Sequence, residues 1–196
     1  MNKKVFLLFI LLLIWGTACK NPFSLRKSGE PKGKAGRWEV PTRPQEVINN
    51  LTRAYRDESL VNFANCLAKS FTFSAPEESL RSPSLFQDWD KTKEVKVTQG
   101  IFSQVIPDSV SIFLSLEEDS LLPDETYPKK ATLYRRYYLV VEGSANAPLS
   151  HPASGLACFR LSLGDDNLWR LSFWRDEPVE RNGAKSWAAL KVELGW

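Results

Sequence analysis

Few side chains in this 196-residue sequence are of the kind that makes or breaks bonds. The nucleophile and metal-ligand candidates are three cysteines, Cys19, Cys66 and Cys158, and a single histidine, His151. A thiol reacts as its thiolate and an imidazole moves protons near neutral pH, so either needs a tuning partner close by. Zinc-type sites want Cys and His in tight pairs, and Cys66, His151 and Cys158 have no such spacing. The acidic runs Glu117-Glu118-Asp119 and Asp165-Asp166 fall where solvated turns are expected, not where carboxylates would encircle a cation. His151 lies in Ala147-Pro148-Leu149-Ser150-His151-Pro152, expected to be a solvated loop between strands. Neither a metal nor a cofactor is expected, and no catalytic set assembles. Asn50-Leu51-Thr52 is formally a glycosylation sequon, but it sits inside a helical pattern.

Cys19 has a different setting. Lys3 and Lys4 precede an apolar run from Val5 to Trp15, followed by Gly16-Thr17-Ala18-Cys19. At helical rise that run reaches roughly 17 Å, about half of a hydrocarbon core, too short for a spanning helix. It fits the apolar region of an export signal, and the small residues before Cys19 suit a peptidase cleft. Residues 1–18 are therefore read as a signal peptide and 19–42, rich in Pro, Gly, Ser and Lys, as a flexible basic tether. Residues 43–196 are left as one domain with a C-terminal helical extension, long enough to bury a core without disulfides.

The overall formal charge of +3 averages two unlike segments. In the tether Lys20, Arg26, Lys27, Lys32, Lys34 and Arg37 outweigh Glu30 and Glu39, whereas from Gln45 onward acids outnumber bases. A basic leash beside an acidic body suits anionic lipid headgroups, or simply keeps a linker soluble, and it argues against nucleic-acid binding. With Cys19 set aside, Cys66 and Cys158 either bond in an oxidising compartment or pack as small hydrophobes.

Thr42-Arg43-Pro44-Gln45 has capping spacing, and Val47, Ile48, Leu51, Ala54 and Tyr55 then recur at helical intervals, predicting a helix to Asp57. Leu60, Phe63, Ala64 and Leu67 predict a second short helix, and Phe71-Thr72-Phe73 a brief strand. Pro76 to Pro83 reads as irregular. Leu85, Phe86 and Trp89 open a third helical pattern that runs on through Val97 to Phe102. Alternation over 110–116 predicts a half-buried strand. A longer one covers 131–143, but Arg135 and Arg136 fall on opposite faces, so its buried side stays undecided unless a β-bulge switches faces partway. Residues 155–163 and 168–176 form a hairpin about the turn 164–167. In its second arm Trp169 and Phe173 share one face, and Trp174 takes the other. Ser186 caps a last short helix carrying Trp187, Leu190 and Leu194. Helices followed by strands exclude a doubly wound sheet, and the class is α+β.

Two resemblances add to this. Gly16-Thr17-Ala18-Cys19 resembles the lipobox of bacterial lipoproteins, although Gly16 stands where those usually carry Leu. The resemblance implies that Cys19 is lipidated and becomes the mature N-terminus, holding the protein in the cell envelope. With Lys20 rather than Asp next, it implies the outer membrane in a host with two. The element order, with Glu46-Val47-Ile48-Asn49-Asn50-Leu51, Ala54-Tyr55-Arg56-Asp57, Phe71-Thr72-Phe73 and Trp169-Arg170-Leu171 through Trp174-Arg175-Asp176, resembles the nuclear transport factor 2-like superfamily. That resemblance implies a cone, in which helices pack into a strongly curved antiparallel sheet of four to six strands around a cavity open at one end.

Enzymes of that superfamily hold an acid or base beside a Tyr or a protonated Asp inside the cone. No matching set is identified: Tyr55 has the wrong spacing and is expected to pack beneath the sheet. Aromatic residues are the surplus. Trp89, Tyr134, Tyr137, Tyr138 and Trp174 are the candidates for a cavity mouth or interaction surface, with core packing as the alternative for each. The leading expectation is a non-enzymatic module, anchored to the membrane through lipid, that takes a small apolar ligand or an envelope protein. An isomerase- or dehydratase-like enzyme and a homodimer built through the sheet are the alternatives.

Overall fold

The computed structural model describes residues 37–106, 109–116, 126–142, 150–179 and 184–196. The signal, most of the tether and Cys19 lie outside these residues, as do Glu117-Glu118-Asp119 and most of the loop before His151.

The first helix, α1 (Pro44–Arg56), starts where Pro44 can occupy a first-turn position that needs no N–H. Its cap is Arg43 rather than Thr42, and Glu46 Oε2 accepts from both the Arg43 N–H (2.9 Å) and the Thr42 hydroxyl (3.0 Å). Val47, Ile48, Leu51, Ala54 and Tyr55 form its buried face, as the periodicity predicts. Asn50 is buried too, and its amide pairs with both backbone groups of Glu39, fixing the entering chain against the helix.

The second helix, α2 (Leu60–Cys66), runs straight into β1 (Leu67–Ser74), which is longer than expected. The stretch expected to be irregular is helical: α3 (Pro76–Arg81) and α4 (Pro83–Phe86) each begin on a proline. The third helical pattern is broken after Phe86. Asp88 takes a positive φ of 49°, and Asp90 then caps α5 (Lys91–Gln104) by accepting from the Lys93 N–H at 2.9 Å. A chain that must turn and restart puts Trp89 in the joint rather than on the helix.

Four strands follow or flank these: β2 (Ser111–Leu116), β3 (Lys130–Glu142), β4 (Ser150–Leu163) and β5 (Trp169–Pro178). Together with β1 they make one curved, unclosed five-stranded sheet in the order β1-β5-β4-β3-β2. All pairings are antiparallel except β1 with β5, which is parallel. His151 belongs to β4, opposite Val141, and not to a loop.

No bulge interrupts β3, whose register with β4 is unbroken from Lys130↔Ser162 to Glu142↔Ser150. Its odd-numbered side chains all point inward, Arg135 among them. That guanidinium is tolerated because it donates to Gln45 Oε1 (2.5 Å) and the Tyr134 carbonyl (2.8 Å). The face switch occurs in β5. There Arg160 pairs with Phe173 but Leu161 with Leu171, leaving Ser172 as the extra residue. Trp169 and Leu171 before the bulge and Trp174 and Asp176 after it therefore all face inward, which corrects the expected split of Trp169 from Trp174.

The last helix, α6 (Trp187–Leu194), is capped by the Ser186 hydroxyl, which accepts from the Ala189 N–H at 3.0 Å. Cys66 and Cys158 are both free thiols and both buried. Between the two readings left open for them, the structure takes the small-hydrophobe one.

Candidate functional site

The interior of the curved sheet is the first place to look. Helix α6 is apolar on nearly every side, a pattern that demands burial all round, and it is driven into the concave face. The Trp187 indole sits edge-on to Trp174 (4.4 Å between centroids), Tyr55 (5.1 Å) and near Tyr137 (5.2 Å). Its ring N–H donates to Tyr55 Oη (3.2 Å) and its backbone N–H to Tyr137 Oη (2.8 Å). Tyr55 packs as expected, with Phe63, Phe102 and Trp187 around it.

One turn along α6, Lys191 is completely buried. Its ammonium lies 2.8 Å from Glu94 Oε1 and over the rings of Trp174 (3.6 Å) and Phe73 (3.7 Å). The other Glu94 oxygen accepts from the Trp89 indole at 2.8 Å. Desolvation pulls the Lys191 pKa down, and Glu94 opposes that pull.

Asp176 completes the group. Its Oδ2 accepts from the Ala188 N–H (2.7 Å), while burial pushes its pKa up to about 6 against the opposing effects of that N–H and the Tyr137 hydroxyl. A carboxyl titrating near neutrality beside a tyrosine is the chemistry of an acid-base pair. Here both partners are buried beneath Trp187.

The raised pKa has a consequence for folding. In the unfolded chain the carboxyl ionises near 3.8, and in the fold only near 6. Asp176 therefore favours the fold fully below the lower value, and that contribution is lost as pH rises through the upper one, a change of about 3 kcal/mol. Asp176→Asn keeps an acceptor for the Ala188 N–H and removes the titration. Urea unfolding between pH 4 and 6 should show a stability slope in the parent that flattens in the variant. An identical slope in both would mean that another group is responsible.

The five aromatic candidates are not brought to one surface. Trp89 and Trp174 are interior, and Tyr134 and Tyr138 lie on the opposite, outer face, with Tyr134 half-buried beside Cys158. Tyr137 points inward with its hydroxyl packed against Gly155, while the outer face of the same strands carries a cleft. A Cβ on Gly155 would fall 2.5 Å from that oxygen and closer still to the Glu177 carbonyl, so only glycine fits.

This cleft encloses about 390 Å³. Its walls follow from register: Phe113 stands opposite Tyr138, Ser115 opposite Arg136, and Tyr138 opposite Ser154, across three strands. Val179 and Ala184 close the far side. Among the described residues no three His, Cys, Asp or Glu side chains converge as a metal site would require.

Sequence inspection missed Glu94, Asp176 and Lys191 in the interior and Phe113, Arg136 and Ser154 outside. One signal could have found the first set: a lone lysine in the apolar helix 187–194 must either leave the core or be paired within it.

No family model matches the sequence, and no curated protein does. Solved structures do match. A conserved protein from Planctomyces limnophilus aligns with a TM-score of 0.54 at 12% identity, over 69% of this chain and 94% of that one. A nuclear transport factor 2-like superfamily protein from Salmonella enterica aligns at 0.51 and 10%, over 70% and 89%. The fold is the nuclear transport factor 2-like cone. A ketosteroid isomerase-like protein from Erwinia carotovora shares it, with a TM-score of 0.51 and 9% identity over 70% of this chain and 94% of that one. At such identities the likeness carries the cone alone and leaves the activity to this chain's own residues.

Proposed function

We propose that this chain is a lipid-anchored envelope protein whose cone is a non-enzymatic binding module. The observation that carries the second half is the position of Trp187: the interior that would have to admit a substrate is packed with the chain's own aromatic rings. Binding then falls to the outer face, where the cleft is open and rimmed by exposed rings. The first half is supported by the short apolar run and by the residues before Cys19.

Cys19→Ser tests the anchor. Expressed in a bacterial host, the parent chain should give a membrane-bound protein whose N-terminal peptide carries acyl mass, and the variant a precursor of uncut length. Normal processing of the variant would mean ordinary secretion.

The Asp176–Tyr137 pair favours a second reading, an acid-base enzyme whose α6 withdraws to admit substrate. Amide exchange separates the two: the Trp187 and Ala188 N–H groups should be among the slowest in the chain if the cone is a solid core. Exchange as fast as that of surface amides would favour the enzyme.

A further inference from the structure

We propose that the end of the domain around the β4–β5 turn docks on the net-anionic phosphodiester headgroups of a bilayer, with Lys69 and Lys91 as the contacting cations. This rests on the anchor at Cys19 and adds which face of the domain meets lipid.

The path of β1 creates the site. It is an edge strand, and its pairing with β5 slips between Leu67↔Leu171 and Thr72↔Phe173, so that five steps of β1 run against two of β5. The slack swings Lys69 and Ser70 outward, and both are exposed. Between them, the start of α5 and the β4–β5 turn lies a recess of about 630 Å³. Every residue lining it, with its chain neighbours, lies within the described residues.

Charge decides what the recess suits. Its cations are Lys69, Lys91 and Arg170, and its acids are Asp165 and Asp166. Asp166 is committed to Arg170, accepting from both terminal guanidinium nitrogens at 2.9 and 2.6 Å. Among the lining residues that leaves two lysines against Asp165. The Lys91 ammonium is half-buried and donates to the Leu67 carbonyl at 2.8 Å. Burial holds its pKa down, and the positive charges of Arg170 and Lys69 add to that pull. A phosphate oxygen beside them would relieve the crowding.

The point where the chain enters the domain is the independent pointer. Trp38 and Pro41 line an adjoining recess that shares Leu67, Lys91 and Arg170 with the first. The Pro41 carbonyl accepts from the Trp169 N–H at 2.8 Å, and the Asn50 amide grips both backbone groups of Glu39. A pull from Cys19 is therefore delivered at this end. Tryptophan, a residue type that settles at headgroup level, stands at the joint. The outer cleft, lined by Pro152 and Ser154 near the other end of β4, is left facing away from lipid.

The test uses the full-length processed chain in nanodiscs of phosphatidylcholine, with or without phosphatidylglycerol, and reads acetylation of each lysine by mass spectrometry. Lys69 should react about fivefold more slowly with phosphatidylglycerol present, the factor that matches one lysine's attraction to an anionic surface. Lys185 is bridged to Ala153, roughly 30 Å along β4 from Ser162, which is beyond the screening length, and its rate should not change. Asp165→Asn removes the exposed competing acid and should slow Lys69 further. Equal Lys69 rates in the two lipids, or equal slowing of Lys185, would overturn the docking. So would glycerol 3-phosphate slowing Lys69 where phosphatidylglycerol does not, since the recess would then be a site for a free phosphate. Acyl mass at Cys19 is read in the same experiment: a chain without it loses anchor and docking together, and a chain that carries it but shows equal rates loses the docking alone.

Discussion

Replacing Lys191 with Met is expected to cost about 3–5 kcal/mol of stability at neutral pH, even though Met is apolar and close in length. The lysine is the counter-ion of a carboxylate with no access to water, and Glu94 would be left with only the Trp89 indole as donor. A buried charge left without its partner is costly. Glu94→Gln in the same chain should recover most of the loss, because the neutral amide keeps an acceptor for Trp89 and needs no counter-ion. The double variant should come within about 1 kcal/mol of the parent, as buried ion pairs replaced whole often do. Urea unfolding of the parent, both single variants and the double variant gives the coupling directly. A Lys191→Met chain as stable as the parent would mean that the pair does not hold the helix.

Trp187→Ala should be comparably severe, about 3–5 kcal/mol, for a different reason. No charge is exposed; a cavity is left where Tyr55, Tyr137 and Trp174 lose the ring they pack on, and the Tyr55 hydroxyl loses its indole donor. The surroundings are rigid aromatic rings that collapse poorly, so the loss should lie near the upper end. Added indole should then raise the variant's melting temperature in a saturable way and leave the parent's unchanged, since dry cavities of this kind accept small apolar molecules. A cost below about 1 kcal/mol would show that Trp187 caps the interior rather than filling it.

The parts of the fold that local patterns reveal are those whose burial depends on one partner. The inward face of α1 is plain in the spacing of Val47, Ile48, Leu51 and Tyr55, and the hairpin of β4 and β5 is plain in its turn. The parity of β3 was not readable, because Arg135 is buried on the strength of Gln45, 90 residues away. The bulge that would have resolved that strand lies in β5 instead. Both faces of 168–174 carry large apolar residues, and only pairing to β4 and β1 decides which of them turn inward.

The same distance problem hid the interior site. Asp176 and Glu94 look like surface residues in their own segments, and with Lys191 they become a buried cluster only when α6 is laid against β5 and α5. Trp89 and Trp174, candidates for a mouth or surface with core packing as the alternative, take the core reading for the same reason: the helix that covers them comes late in the sequence.

The location of Trp187 and Lys191 also bears on biogenesis. Trp174 and Asp176 are synthesised before any of α6, so a nascent chain that has emerged only as far as Pro178 lacks the helix that covers them. Folding cannot finish until α6, through residue 194, is free to pack. A ribosome stalled between those points would present quality-control proteases with an open cone rather than a finished one.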